Sequence, residues 1–261
     1  MEPILMLILT FFGFLAGLVG GFLGIGGCVI MLPTLYFLLK YPLPLAIGTT
    51  ITAVIVTALS GSIAHIRIRN VDYDTTLKIA ISGSLGSILG SLIFLYLVEK
   101  IPILNLVLGF AFLYVSLRMI YEGFLRRKAP EKTGKSIPGG VVKKSLIGFG
   151  IGVVTGIVGL GGGYALVPSF IYLLGAPVKI AVGTSLPSFI SMAVISGGFK
   201  IYQGYVDITA ALLLGIGTAI GAQVGARLVP KMPTWIIKAV FGLLFLYISL
   251  KFVFSAFNVQ I

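Results

Sequence analysis

The sequence predicts an all-α polytopic membrane protein made of two inverted repeats of five helical segments. Three observations lead there. Apolar residues make up 58% of the 261-residue chain and charged residues 10%, against about 45–50% and about 25% in soluble domains, and the mean hydropathy is +1.13. Apolar stretches of helix length recur from end to end, separated by polar or Pro-containing joints. The second half repeats the glycine, proline and hydroxyl pattern of the first. This composition excludes a water-soluble enzyme with a solvated surface, and it excludes a disordered chain.

A membrane-spanning helix needs about 20 apolar residues. Candidate segments lie at 4–22, 28–40, 45–66, 76–98 and 103–123, and again at 146–158, 163–175, 181–201, 208–229 and 235–256. The opening Met1-Glu2-Pro3 lacks the basic start of a secretory signal, so the first apolar stretch is expected to stay in the membrane. Segments 28–40 and 163–175 give only about 20 Å of helix, too little for about 30 Å of hydrocarbon. Each is expected to pair with the segment before it as a re-entrant or broken-helix hairpin. Such backbone survives at membrane depth only where it is buried in protein or faces a water-filled cavity.

The stretch 124–145 is the one hydrophilic run of any length and carries Arg126, Arg127, Lys128, Lys132, Lys135, Lys143 and Lys144. It divides the chain into a first membrane repeat, 1–123, a basic mobile linker, 124–145, and a second membrane repeat, 146–261. A shift of 135 residues places Gly13, Gly17, Gly21, Gly24, Gly26, Gly27 and Pro33 on Gly148, Gly152, Gly156, Gly159, Gly161, Gly162 and Pro168. It also places Gly48-Thr49 on Gly183-Thr184 and Asp72 on Asp207. An ordered set of matches over most of the chain is the signature of duplication. Five segments is an odd number, so two copies in series are inverted in the membrane, as in many secondary transporters.

Charge fits that arrangement. With the linker cytoplasmic, fifteen of the nineteen Lys and Arg residues fall inside, and only Lys40, Lys100, Lys200 and Lys251 fall outside. This is the positive-inside bias, and it makes both termini external. The net charge of +12 therefore reads as topology rather than nucleic-acid binding. Cys28 is the single cysteine, which excludes an intrachain disulfide and a cysteine-based metal site.

The expected chemistry sits at the two hairpin tips, Gly24-Ile25-Gly26-Gly27-Cys28 and Gly159-Leu160-Gly161-Gly162-Gly163. A helix that starts there presents free backbone N–H groups and the positive end of its dipole, which suits an anion. Tight packing of a buried turn is the rival reading. No βαβ unit surrounds the glycines, so they are not a dinucleotide loop. Candidate substrate contacts are Gly26, Gly27, Cys28, Gly161, Gly162 and Gly163. Thr49, Thr50, Thr184 and Ser185 join them near the starts of the third segments, where they either cap the helix or donate to a ligand. Pro187 suggests a local break in the eighth segment. Gly13, Gly17, Gly21 and Gly148, Gly152, Gly156 run at spacing four, as do Gly86, Gly90 and Gly217, Gly221, Gly225, which is small-residue helix packing.

Ionisable residues inside the membrane are functional candidates by default. His65 and its repeat counterpart Lys200 are coupling or gating candidates, with Gln203 as a polar liner. Asp72 and Asp207 are expected to cap the fourth segment of each half. A cation pathway usually shows membrane carboxylates and a metal pathway clusters of Cys, His, Met or carboxylate. Here glycine turns, hydroxyls and edge cations remain, which favours an anionic substrate. No nucleophile–base pair argues for an enzyme.

The duplicated pattern of spaced glycines, Gly-[Ile/Leu]-Gly-Gly and a following proline, with Ala-[Ile/Val]-Gly-Thr-[Thr/Ser] after it, resembles the sulfite exporter TauE/SafE family. The Gly61 to Asp72 stretch, with His65 ahead of Val71-Asp72, is similar to it as well. The likeness covers about residues 5–255. It implies an integral permease for a sulfur-containing anion such as sulfite, thiosulfate or an organosulfonate. Cys28 departs from the pattern by replacing the third tip glycine, which puts strict twofold equivalence in doubt. The expected protein is a secondary transporter in the cell membrane working by alternating access, with no cofactor, no metal site and no nucleic-acid partner. Its partners are a small anion and the lipid bilayer, and a coupling proton or ion and a homodimer are left open. An anion channel and a divalent-metal permease are the alternatives.

Overall fold

The computed structural model describes residues 3–121, 124 and 134–257. Residues 125–133 of the expected linker, with Arg126, Arg127, Lys128 and Lys132, lie outside the described residues. The helices are α1 Pro3–Leu23, α2 Cys28–Pro33, α3 Leu43–Arg67, α4 Tyr73–Leu97, α5 Ile101–Ile120, α6 Val141–Val158, α7 Gly163–Tyr172, α8 Val178–Tyr202, α9 Ile208–Leu228 and α10 Thr234–Ala256. A π-helical turn, Thr34–Leu38, extends α2. Among the described residues, seven of these helices are long and apolar enough to cross a membrane.

Local chemistry explains the boundaries. Asp72 and Asp207 cap α4 and α9, each accepting a hydrogen bond from the backbone N–H three residues on, Thr75 at 3.2 Å and Ala210 at 3.0 Å. Pro42 and Pro177 end the joints before α3 and α8. Helix α6 starts at Val141, five residues before the expected start, so Lys143 and Lys144 are helical. Within this added turn the Lys144 ammonium is buried and lies 3.4 Å from Asp74 at the start of α4. Pro187 does not break α8, which runs unbroken from Val178 to Tyr202. The proline forfeits one bond, and beside it the Ser188 hydroxyl donates to Thr184 O at 2.7 Å.

The glycine ladders set the packing. Gly13, Gly17 and Gly21 of α1 abut Leu214, Thr218 and Ala222 of α9 in the same order, so α1 and α9 run parallel. Gly148, Gly152 and Gly156 of α6 abut Ile79, Gly83 and Ser87 of α4, again parallel. The order reverses between α3 and α8, where Gly61 meets Leu186 and Gly197 meets Thr52 and Ile55. It reverses too between α5 and α10, where Gly109 meets Val253 and Gly242 meets Ile120. Helices matched by the 135-residue shift thus pack in exchanged pairs. The opposite face of α9 presents Leu212, Ile216 and Ile220, and that of α4 presents Leu77, Ile81 and Leu85, all exposed. A helix with small residues inward and large apolar residues outward suits close packing beneath a hydrocarbon surface.

Asp72 does more than cap. Burial alone would raise its carboxyl, but hydrogen bonds from the Ile137 N–H, the Thr75 hydroxyl and the Thr75 N–H, with the Lys144 charge, hold it below the ordinary value of 3.8. A carboxylate with a depressed folded-state pKa stabilises the fold above its unfolded value, and that contribution is lost as pH falls through the lowered one. Asp72→Ala should therefore lower stability at neutral pH by about 1–2 kcal/mol, the usual cost of a lost cap. The difference from the parent should shrink below about pH 4, as thermal unfolding in detergent at both pH values will show.

Candidate substrate site where two glycine tips meet

The two hairpin tips come together inside the protein. Gly163, the first residue of α7, sits directly against Gly24 O and the Ile25 Cα of the other tip. Gly26 and Gly161 both face Val54 and the Phe189 ring. Val54 and Phe189 lie near the middle of α3 and α8 and are themselves 135 residues apart. The tips therefore meet at mid-length of the two central helices. Positive φ recurs at Gly24 and Gly159 (75° and 64°) and at Gly26 and Gly161 (74° and 65°), where the chain reverses within four residues. L side chains avoid that conformation, and glycine adopts it freely.

The tips are not identical. Gly27 has φ 77°, whereas Gly162 has φ −87°. The departure coincides with Cys28 facing Gly163 in the repeat. The Cys28 thiol is fully buried and donates to Ile25 O at 3.3 Å, turning back on its own tip. At Gly163 no side chain fits, because the other tip occupies its place. A charged maleimide should leave Cys28 unlabelled in native protein and label it after denaturation. Rapid labelling of native protein would contradict this packing.

The hydroxyls divide into two groups. Thr49 and Thr184 do not cap their own helices. The Thr49 hydroxyl oxygen accepts from the Asp207 N–H at 2.9 Å, and that of Thr184 accepts from the Asp72 N–H at 3.0 Å, so each fastens the capped joint of the opposite half. Ser185 donates to Gly24 O at 2.7 Å and ties α8 to the first tip. The Thr50 hydroxyl is buried without a partner, which leaves it free for a ligand.

His65 and Lys200 occupy equivalent places. His65 Nε2 lies 3.0 Å from Gly21 O, so that nitrogen carries the proton, and Lys200 Nζ donates to Gly156 O at 3.0 Å. Each acceptor lies in the last turn of the helix leading to a tip, where carbonyls lack intrahelical partners. The two basic side chains thus cap two helices that end inside the protein. Gln203 Nε2 donates to Ser91 O at 3.2 Å. Sequence reading passed over Val54 and Phe189, whose apolar character carries no signal of its own, and the buried serines Ser62, Ser91 and Ser196, whose hydroxyls lack partners. Val54 and Phe189 are counterparts across the 135-residue shift, whereas Ser62, Ser91 and Ser196 fall on Gly197, Ala226 and Gly61, so the repeat gives no signal for the serines.

Long apolar helices with outward apolar faces, closed around two hairpins that meet at mid-length, define a multi-pass membrane protein of the transporter class. The chain belongs to the sulfite exporter TauE/SafE family, whose sequence pattern matches residues 9–252. It is 28% identical over 241 residues to the probable membrane transporter protein YdhB of Bacillus subtilis, covering 90% of this chain and 97% of that one. It is 27% identical over 267 residues to YunE of the same organism, also named a probable membrane transporter protein, at 95% and 97% coverage. A probable membrane transporter protein of Methanocaldococcus jannaschii is 25% identical over 264 residues, at 95% and 96% coverage. No solved structure matches the chain.

Proposed function

We propose that this protein is a secondary transporter that moves a sulfur-containing anion, such as sulfite, thiosulfate or an organosulfonate, by alternating access. The observation that carries the reading is the contact between the two glycine tips at mid-length of α3 and α8. Helix directions support an inverted arrangement. Helix α3 runs antiparallel to α8, and α9 follows α8 through a short joint, so α3 and α9 run the same way, as does α1. Helix α4 returns from α3, and α6 runs with α4, so α1 and its counterpart α6 point in opposite directions. Two such hairpins enter from opposite faces and close the path between them.

In this reading the anion binds when the tips part. It is held by backbone N–H groups at Gly26, Gly27, Cys28, Gly161, Gly162 and Gly163, with the Thr50 and Ser185 hydroxyls beside them. Helix N-termini suit an anion because their unpaired N–H groups and dipole point at it. Rocking of one half against the other exposes the site to each side in turn. The basic linker faces the cytoplasm and both termini face outward. Uptake of labelled sulfite, thiosulfate and sulfoacetate into proteoliposomes tests the substrate class. Saturable, mutually competitive flux of these anions is expected. Flux of a divalent metal that sulfur anions leave unaffected would replace the substrate class.

A further inference from the structure

Resting on the reading of this protein as an anion transporter, we infer that Lys200 is a charged anion station between the second tip and the outer face, completed by the Ser91 and Ser196 hydroxyls. Lys200 is fully buried in α8. No carboxylate among the described residues pairs with it. Its ammonium makes one hydrogen bond, to Gly156 O at 3.0 Å, and lies 3.2 Å from the centre of the Phe94 ring. An ammonium has three donors; one goes to Gly156 O and one faces the Phe94 ring, so one is left for a ligand.

The surroundings supply more. Ser196 lies one turn before Lys200 on the same face of α8, fully buried, and its hydroxyl has no partner. Ser91 is likewise buried with a partnerless hydroxyl, and its backbone lies against Gly156, the residue that Lys200 bonds. Gln203 donates its Nε2 to Ser91 O at 3.2 Å and so holds the Ser91 turn in place. The Lys200 ammonium and the Ser91 and Ser196 hydroxyls, all buried around Gly156 and the last turns of α8, together supply three donors. They match the three oxygens of a pyramidal sulfite or of a sulfonate head.

The repeat supplies the contrast. His65 caps Gly21 O with a single N–H, so this capping task does not require a lysine. A buried ammonium without a counter-ion is strongly disfavoured, and intramembrane charges of this kind mark ion and substrate paths. An arriving anion offsets that cost and supplies the missing acceptor. In the proposed orientation, the α8 end that carries Lys200 faces outward, so the station precedes the tips on the external side.

The test is equilibrium binding of radiolabelled sulfite to purified protein in detergent, with thiosulfate and sulfoacetate as competitors. Lys200→Gln keeps a donor for Gly156 O and removes the charge. It should weaken sulfite binding by roughly tenfold or more, the worth of a charge-assisted hydrogen bond. Lys200→Arg keeps the charge and should retain most of the affinity. Unchanged affinity in Lys200→Gln overturns the station and leaves the transporter reading standing. Parent protein that binds none of the three anions saturably overturns both. Should Lys200→Gln prove unstable, the Ser91→Ala/Ser196→Ala double variant decides: a several-fold loss supports the station, and unchanged affinity removes it.

Discussion

Gly163→Val should abolish transport while leaving a folded, membrane-inserted protein. A Cβ at position 163 would stand 2.5 Å from Ile25 Cα and 2.9 Å from the Phe189 ring, and it would collide with Gly24 O. Two of these three contacts are backbone, which cannot rotate away. Overpacking of this kind costs about 1–3 kcal/mol or more, and here the cost falls on the closed contact between the tips. The helices around it are held by the ladders and lose nothing directly. Uptake in proteoliposomes should fall by roughly thirtyfold or more, the conversion of about 2 kcal/mol into a rate. Gel filtration should still show a monodisperse species. Normal uptake by this variant would mean that the tips do not form the path.

Gly152→Leu and Gly150→Leu should differ sharply although they lie two residues apart on α6. A Cβ at Gly152 would approach Gly83 C and Cα at 2.8 and 2.9 Å, with the Gly83 carbonyl oxygen nearer still. Nothing lies within 4 Å of a Cβ at Gly150. A leucine at 152 must push α6 off α4 along the seam that joins the two halves. The expected cost exceeds about 3 kcal/mol, and the yield of folded protein should collapse. The leucine at 150 points away from the packed face and should be tolerated within about 0.5 kcal/mol. Folded yield and thermal unfolding of the two proteins in the same detergent give the comparison. Equal behaviour would remove the ladder as the source of the packing.

Much of this was legible in the sequence because the membrane restricts the choices. The boundaries of α1, α3, α8, α9 and α10 follow from apolar length, and Asp72 and Asp207 mark the starts of α4 and α9 by capping alone. The 135-residue repeat located both tips before any geometry was known. The rest depended on partners distant in sequence. Thr49 and Thr184 read in the sequence as helix caps or as ligand donors, yet they bind the joints of the opposite half, a pairing across 158 and 112 residues. Pro187 reads as a break, yet α8 runs through it from Val178 to Tyr202. The early start of α6 includes Lys144 and its ion pair with Asp74, which no local pattern announces. The π turn after Pro33 has no counterpart after Pro168, since α7 continues as an α-helix to Tyr172.

Capping and transport make different demands on the buried basic pair. His65 and Lys200 close the ends of α1 and α6 with the same geometry, and either task alone would be served by a neutral donor. The lysine adds a charge near two partnerless hydroxyls, Ser91 and Ser196, whereas the histidine leaves only its Nδ1 and the Ser62 hydroxyl without partners. In the proposed orientation, the outer approach to the tips is therefore better equipped for an anion than the inner one. That asymmetry is what a path with a preferred direction of loading would need.

The most direct test of the central claim is counterflow. Proteoliposomes loaded with unlabelled sulfite are diluted into a trace of labelled sulfite, and label inside is followed with time. A carrier whose tips part on one side at a time exchanges one anion for another, so label should accumulate transiently above its external concentration. Entry that never overshoots and rises in proportion to concentration without saturating would contradict alternating access and describe a channel.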